Sequence, residues 1–367
     1  MSAEMVSPVL AGAIIGGVML AMMTLIVTVI MTTRNLLVAI ILMSAYSLAS
    51  AVWLLTMDAA DVAFTEAVVG AGVSTLIGLG AILLTHNETR TVRATALIAP
   101  SFATLAVGGL LIYAALDLPN LGEAASPANA YVGRLYLEQA SRDVGSPNVV
   151  TAILSSYRGF DTLGETSVIF ASGVGVALML GFGARAQQAA PQSLAEPGFS
   201  ERDRGDHTVL VVAAKTLIPL ISIFAFYVQF HGDLGPGGGF QAGVIMAVAI
   251  ILHALVFGLK ATMAAIPPRL ARGCAALGVA LYVGVGVVNM INGGRFLEYD
   301  RLFPPRLEVQ LPDSALAGGH HHWGQHFGIL GIELGVFFTV AATMVTIFYA
   351  FAGRARDPAD PLPAGEG

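Results

Sequence analysis

Cysteine and charge are what this sequence has least of. The one cysteine, Cys274, leaves no internal disulfide and no cysteine-ligated cluster available. Charged residues are 11% of the chain, and the net charge of −6 is spread over short polar stretches, so there is no basic face on which to hold nucleic acid. No G-x-x-x-x-G-K-[ST] loop and no H-E-x-x-H helix occurs, which removes the simplest phosphate-loop and zinc-hydrolase readings. What fills the chain instead is apolar residues, at 56%, and 42 glycines. That composition is that of a polytopic membrane protein and not of a soluble enzyme.

Nine nearly charge-free runs follow one another, at 9–31, 36–57, 62–85, 94–116, 166–184, 208–230, 239–259, 273–291 and 327–352. Each can cross a hydrocarbon core of roughly 30 Å at about 1.5 Å per helical residue. The expected fold is an all-α polytopic bundle of about nine transmembrane helices. The start, MSAEMVSP, carries no basic residue, and the apolar run after it exceeds that of a signal peptide, so it is expected to remain as an anchor. With the N-terminus outside, 11 of the 18 Lys and Arg residues fall in cytoplasmic segments. Six of the others lie in the two longest outer loops, where charge hardly influences orientation, and N-out/C-in is the predicted topology.

Residues 226–243, FYVQFHGDLGPGGGFQAG, read as a hairpin between two spans. Pro236 prevents one helix from running through, and Gly235, Gly237, Gly238 and Gly239 permit positive φ or close backbone approach beside His231. On spacing alone this is a tight turn.

Ionisable residues inside the spans are costly, roughly 2.5 to 3.5 kcal/mol for an aspartate at a helix centre, and each needs a reason. In the third run Asp61 stands at the mouth and Glu66 about one turn inside, with Gly70, Gly72, Gly78 and Gly80 offering close helix approach. Asp61 reads as a surface acid, whereas Glu66 either reaches the surface or lines an ion path. Pro100 is expected to kink the fourth run by removing the bond to the Ala96 carbonyl. Residues 117–163 read as a polar outer segment, and Arg158, Asp161 and Glu165, at its end and just before the fifth run, form either a local surface pair or an ion route. Lys215 lies in the inner half of the sixth run, four residues before Pro219, which frees its carbonyl. It either snorkels to the cytoplasm or serves inside the membrane. His253 is either a satisfied interhelical donor or a proton relay. Glu333 lies about two turns into the ninth run, between Gly331 and Gly335, whose G-x-x-x-G spacing favours close helix contact. The adjacent His320, His321 and His322, with His326, do not by their spacing form a tetrahedral shell, so neither metal nor cofactor is expected.

The acids thus gather in the outer half, and Lys215 and His253 in the inner half, a placement suited to cation or proton passage. A polar linker at 185–207, with two prolines and two glycines, reads as a seam between two formerly separate proteins.

Four motifs carry a family resemblance. DVAFTEAVVGAGVSTL resembles the hydrogenase-D-like (DUF4040) domain at the end of the large subunit of multisubunit cation/proton antiporters of the Mrp, Mnh or Pha type. YRGFDTLGETSVI resembles the hydrogenase-E-like segment that follows it there, and FYVQFHGDLGPGGGFQAGV with HHWGQHFGILGIELGVFFTV resembles the B-type component of the same complexes. The resemblance covers nearly the whole chain. It implies a D-like module at 1–93, an E-like module at 94–184, the linker at 185–207, a B-like module at 208–353 and a tail at 354–367. It also implies a hetero-oligomeric complex in a bacterial-type plasma membrane that exchanges Na⁺, or another alkali cation, for H⁺. Acids matching Glu66, Asp161 and Glu165 are implicated in the family's ion path, and His231 with the glycine turn becomes a packing or gating element. The long antiporter-like part of the large subunit is not in this chain, so the expectation is that partner subunits supply the main proton channels. The alternatives are the membrane arm of a redox-driven pump, such as a membrane-bound hydrogenase, and a structural adaptor without an ion path.

Overall fold

The structure is a computed structural model that describes residues 3–82, 94–119, 123–180, 208–303 and 323–352. The linker 185–207, the three histidines 320–322 and the tail 354–367 lie outside the described residues. Among the described residues, nine helices are long and apolar enough to cross a membrane, and the fold is the expected all-α bundle.

Helix α1 (Ala3–Thr32) packs on α2 (Leu36–Thr56), whose first turn is capped by Asn35: its side chain accepts the Val38 N–H at 3.1 Å. Helix α3 (Ala60–Ile82) is not uniformly α-helical. Ala67–Val73 winds with i→i+5 bonds, as in Ser74 N–H to Val69 O, and Ser44 of α2 donates to the Ala71 carbonyl at 3.2 Å. A wide turn weakens backbone pairing, and a neighbouring hydroxyl restores it. Helix α4 (Ile98–Ala115) buries none of its residues, unlike every other span. Pro100, expected to kink this run, falls instead near its start. A 3₁₀ turn, Ala94–Leu97, precedes α4, so Pro100 lies in the first helical turn, where its missing N–H has no intrahelical partner to lose.

The short helix Arg134–Asp143 is closed by Gly145, whose φ of +77° is the left-handed conformation that ends helices. The chain then makes a helical segment at 149–157 and enters α5 (Gly159–Leu180). Helix α5 therefore starts before the predicted 166. Asp161 and Glu165 interrupt the hydropathy, but Asp161 stands in the first turn, where an acid meets the positive end of the helix dipole. The remaining helices are α6 (Thr208–His231), α7 (Gly239–Phe257), α8 (Pro268–Ile291) and α9 (Trp323–Ala352).

Helix α9 is the central post, in contact with α3, α5, α6, α7 and α8. Small residues let them close on it. A Cβ on Gly243 of α7 would stand 2.8 Å from the Phe337 carbonyl, one on Gly173 of α5 would stand 2.7 Å from Thr343 Cγ2, and one on Gly278 of α8 would collide with the Gly335 carbonyl. The G-x-x-x-G spacing thus marks a real contact, since a Cβ on Gly335 would come within 2.7 Å of the Gly278 carbonyl. Ile329, Ile332, Val340, Val345 and Phe348 of α9 supply much of the core.

Candidate functional site

At the end of the bundle that carries the α6–α7 turn, a cavity of about 320 Å³ opens between α3, α5, α7, α9 and the 149–157 segment. Its polar wall is assembled from all parts of the chain: Asp61 and Thr65 of α3, Thr162 and Glu165 of α5, Gln241 of α7 and Glu333 of α9. Three of the acids that the sequence singled out thus share one chamber. Asp61 is at the first turn of α3, Glu165 about 9 Å along α5, and Glu333 about 15 Å along α9. Glu333 is deeper than two turns because α9 starts at Trp323, ahead of the predicted 327.

Glu333 is buried, with 8% of its surface exposed. Glycine backbone packs directly on its carboxylate. A Cβ would stand 3.2 Å from Oε1 at Gly238 and 3.2 Å from Oε2 at Gly232, and one on Gly239 would meet the Glu333 carbonyl itself. Of the four turn glycines read from the sequence, only Gly238 has positive φ, +109°. Gly237 and Gly239 instead serve close approach, Gly237 against the Val228 carbonyl, while Gly235 lies by His231 Nε2. Pro236 is exposed on the turn, and His231 stacks on Tyr227 with ring centroids 5.0 Å apart. The turn is therefore tight because the acid beneath it needs the room.

Residues 144–157 were expected within a polar outer segment, yet Ser146, Asn148, Thr151 and Ser155 are buried. Asn148 explains why. Its Oδ1 caps the 149–157 segment by accepting Val150 N–H at 2.9 Å, and its Nδ2 donates to Gly235 O at 2.9 Å and to Asp61 Oδ1 at 3.2 Å. Thr151 Oγ1 donates to Gly232 O at 2.7 Å, and Ser146 Oγ to Asp233 O at 3.2 Å. A segment can enter a membrane bundle only with its polar groups paired, and here they pair with the turn. The segment's other end is held by Tyr299, donating to Ser155 O at 2.7 Å, and by Tyr282, donating to Gly159 O at 2.7 Å. Burial pushes the Tyr299 hydroxyl above its ordinary pKa, which favours the protonated, donating form. At the surface beside it, Tyr157 donates to Asp143 at 2.8 Å, and burial together with that acid pushes its pKa up to about 12.

Two contacts close the wall. Gln241 Nε2 donates to Thr65 Oγ1 at 2.8 Å, and Thr65 Oγ1 donates to Asp61 O at 2.9 Å, tying α7 to α3. His326 Nδ1 donates to Asp233 Oδ2 at 2.9 Å, which ties the turn to α9. Asp233, Asn148 and Thr151 were not among the residues read as functional. The only sequence signal was S-P-N ahead of a helix, a capping pattern.

The other predicted residues lie elsewhere. Glu66 is half-buried behind Thr65: its Oε1 lies 3.0 Å from where a Gly70 Cβ would be, in the same space that Ser47 of α2 occupies. Asp161 pairs at the surface with Arg158 at 2.6 Å. Lys215 is exposed on the side of α6. His253 Nδ1 is 2.7 Å from Thr262 Oγ1, whose hydroxyl donates to Gly258 O at 3.1 Å, and its ring lies 4.9 Å from that of Phe257.

Family models match along the chain in order. The model of the MBH D component (MbhD) covers residues 21–87, that of the MBH E component (MbhE) covers 103–198, and "Domain related to MnhB subunit of Na+/H+ antiporter" covers 209–346. A probable K(+)/H(+) antiporter protein of A/B type from Rhizobium meliloti is 31% identical over 146 residues, which are 36% of this chain and 15% of that protein. A putative antiporter subunit mnhB2 of Staphylococcus epidermidis is 29% identical over 145 residues, 40% of this chain and 94% of the relative. In three dimensions the chain matches one in the structure of the Mrp complex from Dietzia sp. DQ12-45-1b, with a TM-score of 0.70 and 25% identity over 94% of this chain and 35% of that one. It also matches a chain of the membrane-bound sulfane sulfur reductase, an archaeal respiratory membrane complex, with a TM-score of 0.50 and 26% identity over 70% of this chain and 97% of that one. The chain thus spans a small part of the R. meliloti and Dietzia chains and nearly all of the shorter relatives. With D-type, E-type and B-type segments in that order, the chain is similar along most of its length to the D, E and B components of Mrp-type antiporter complexes fused into one membrane chain.

Proposed function

We propose that this chain is a membrane subunit of a multisubunit cation/proton antiporter that exchanges Na⁺ for H⁺, contributing an ion-handling chamber and subunit contacts without transporting alone. The observation that carries the reading is that one cavity within the membrane span is lined by buried Glu333, with half-buried Asp61 and exposed Glu165 at its mouth. A carboxylate in such a place has two stable partners, a proton or a cation. Competition between them for the same oxygens is the simplest chemistry of exchange. Glu333 is the central group, because no side chain in the described structure pairs with it and glycine backbone leaves its oxygens open to the cavity.

In this reading the three segments follow the proposed modules 1–93, 94–184 and 208–353, and the chamber faces outward in the N-out/C-in topology. Glu66 feeds the chamber from behind Thr65, and the Asp161–Arg158 pair stands at its outer approach. Lys215 enters a path only where another subunit covers α6, and His253 forms part of the inner half through its Thr262 contact. The turn with His231, Pro236, Gly237, Gly238 and Gly239 is the lid of Glu333.

The competing reading, a membrane arm of a redox-driven pump, draws on the likeness to the respiratory complex. The Mrp chain agrees better in fold at similar sequence identity and covers more of this chain, which favours antiport. Purification of the tagged chain from its native membrane, with mass spectrometry of all co-purifying proteins, separates the two. Large antiporter-like subunits with small membrane partners are expected, and iron–sulfur or hydrogenase-like subunits would overturn the reading.

A further inference from the structure

A second cavity, of about 220 Å³, lies between α5, α8 and α9 and takes no part in the proposed ion path. We propose that it binds one anionic phospholipid, with the phosphate at Arg272 and Thr343 and an acyl chain along α5.

The walls are apolar, supplied by Phe170, Val174, Ala177 and Ala275, and Gly173 opens the floor by carrying no side chain. Among the described residues, Arg272 is the one charged residue that lines the cavity. It lies about 6 Å into α8 from Pro268, at the end of the bundle opposite the α6–α7 turn, which is headgroup depth for a spanning helix. Thr343 of α9 is 1% exposed, and its hydroxyl makes no hydrogen bond within the described structure. Most helical threonines here bond to a carbonyl one turn back, as Thr346 does to Ala342 O at 2.7 Å. The packing register puts Thr343 level with Arg272: Thr339 donates to Ala275 O, and each of the two residues stands about one turn further toward the same end.

A cation and an unused donor thus line the same apolar cleft. A phosphate diester suits the site, since its oxygens accept from the Thr343 hydroxyl, which lacks a partner in the described structure, and carry the charge that Arg272 attracts. Free phosphate offers the same oxygens, but the apolar walls and the exposed Leu178 and Met179 of α5 select an occupant with a hydrocarbon tail.

The test uses the complete complex in mild detergent, stripped of lipid and titrated with phosphatidylglycerol, phosphatidylcholine or inorganic phosphate. Hydrogen exchange at 170–177 and 343–346 is followed, together with native mass spectrometry of retained lipid. Phosphatidylglycerol is expected to slow exchange in both segments and to remain bound, whereas phosphatidylcholine is weaker and inorganic phosphate has no effect. Arg272→Ala is expected to weaken phosphatidylglycerol about fivefold, and Thr343→Val to weaken it while leaving assembly intact. Equal protection by the two lipids, protection by inorganic phosphate alone, or no protection by any would overturn the proposal, and the wild-type arm decides it even if a variant fails to assemble.

Discussion

Glu333 is the residue on which the chamber turns, and among the described residues its surroundings are built from glycine backbone and not from cations. A buried acid without a counter-charge takes up a proton or a cation whenever one is available, which is costly for a purely structural position. Replacing it by Gln keeps shape and removes charge. We expect Glu333→Gln to lower exchange by roughly tenfold or more, by analogy with the loss of one positioned acid–base group, with the complex still assembled on native gels. Glu165→Gln is expected to act in the same direction. Asp161→Asn is expected to have an effect of at most about 1 kcal/mol on stability, because the Asp161–Arg158 pair is more than half exposed. Measured side by side in one vesicle assay, the three variants rank the acids by their distance from the cavity.

At the scale of the element, the 149–157 segment and the α6–α7 turn stand or fall together. Asn148→Ala removes a helix cap and the donor that reaches both Gly235 and Asp61, and it leaves buried carbonyls unpaired. A loss of about 1 to 3 kcal/mol is expected, read as a fall in the thermal midpoint of the purified complex. Gly239→Ala forces a methyl group into the Glu333 carbonyl, and α7 must move off α9. A comparable loss is expected there, whereas Gly164→Ala, with open space around it, should be close to neutral. Much of this is readable in the sequence at the level of type: apolar runs mark the spans, and the glycine turn and the G-x-x-x-G spacing mark contacts. What hydropathy hides is polar sequence going inside. Asn148, Thr151 and Ser155 look like loop residues, because burial of a polar side chain depends on partners far away in sequence. The start of α5 is hidden for a related reason, since Asp161 and Glu165 lower the hydropathy of a segment that is nonetheless helical.

For the whole molecule, α9 at the centre and α4 at the periphery describe two kinds of environment. Helix α9 draws α3, α5, α6, α7 and α8 together, so D-type, E-type and B-type segments form one bundle around it. The sequence shows the order of these segments and the acids in each. It does not show that Asp61, Glu165 and Glu333 meet, nor that Lys215 and Asp161 stay outside, because facing between helices is set by packing and not by the position of a residue along its span. The central claim is that this meeting point handles ions, and it is tested most directly by Na⁺-dependent proton movement in everted vesicles that carry the full complex with wild-type or Glu333→Gln chain. The account predicts that the variant complex assembles at wild-type levels and that its Na⁺-induced pH change falls by about tenfold or more. An unchanged pH change in a fully assembled variant would contradict it, and would leave the chain a structural adaptor for paths carried by its partners.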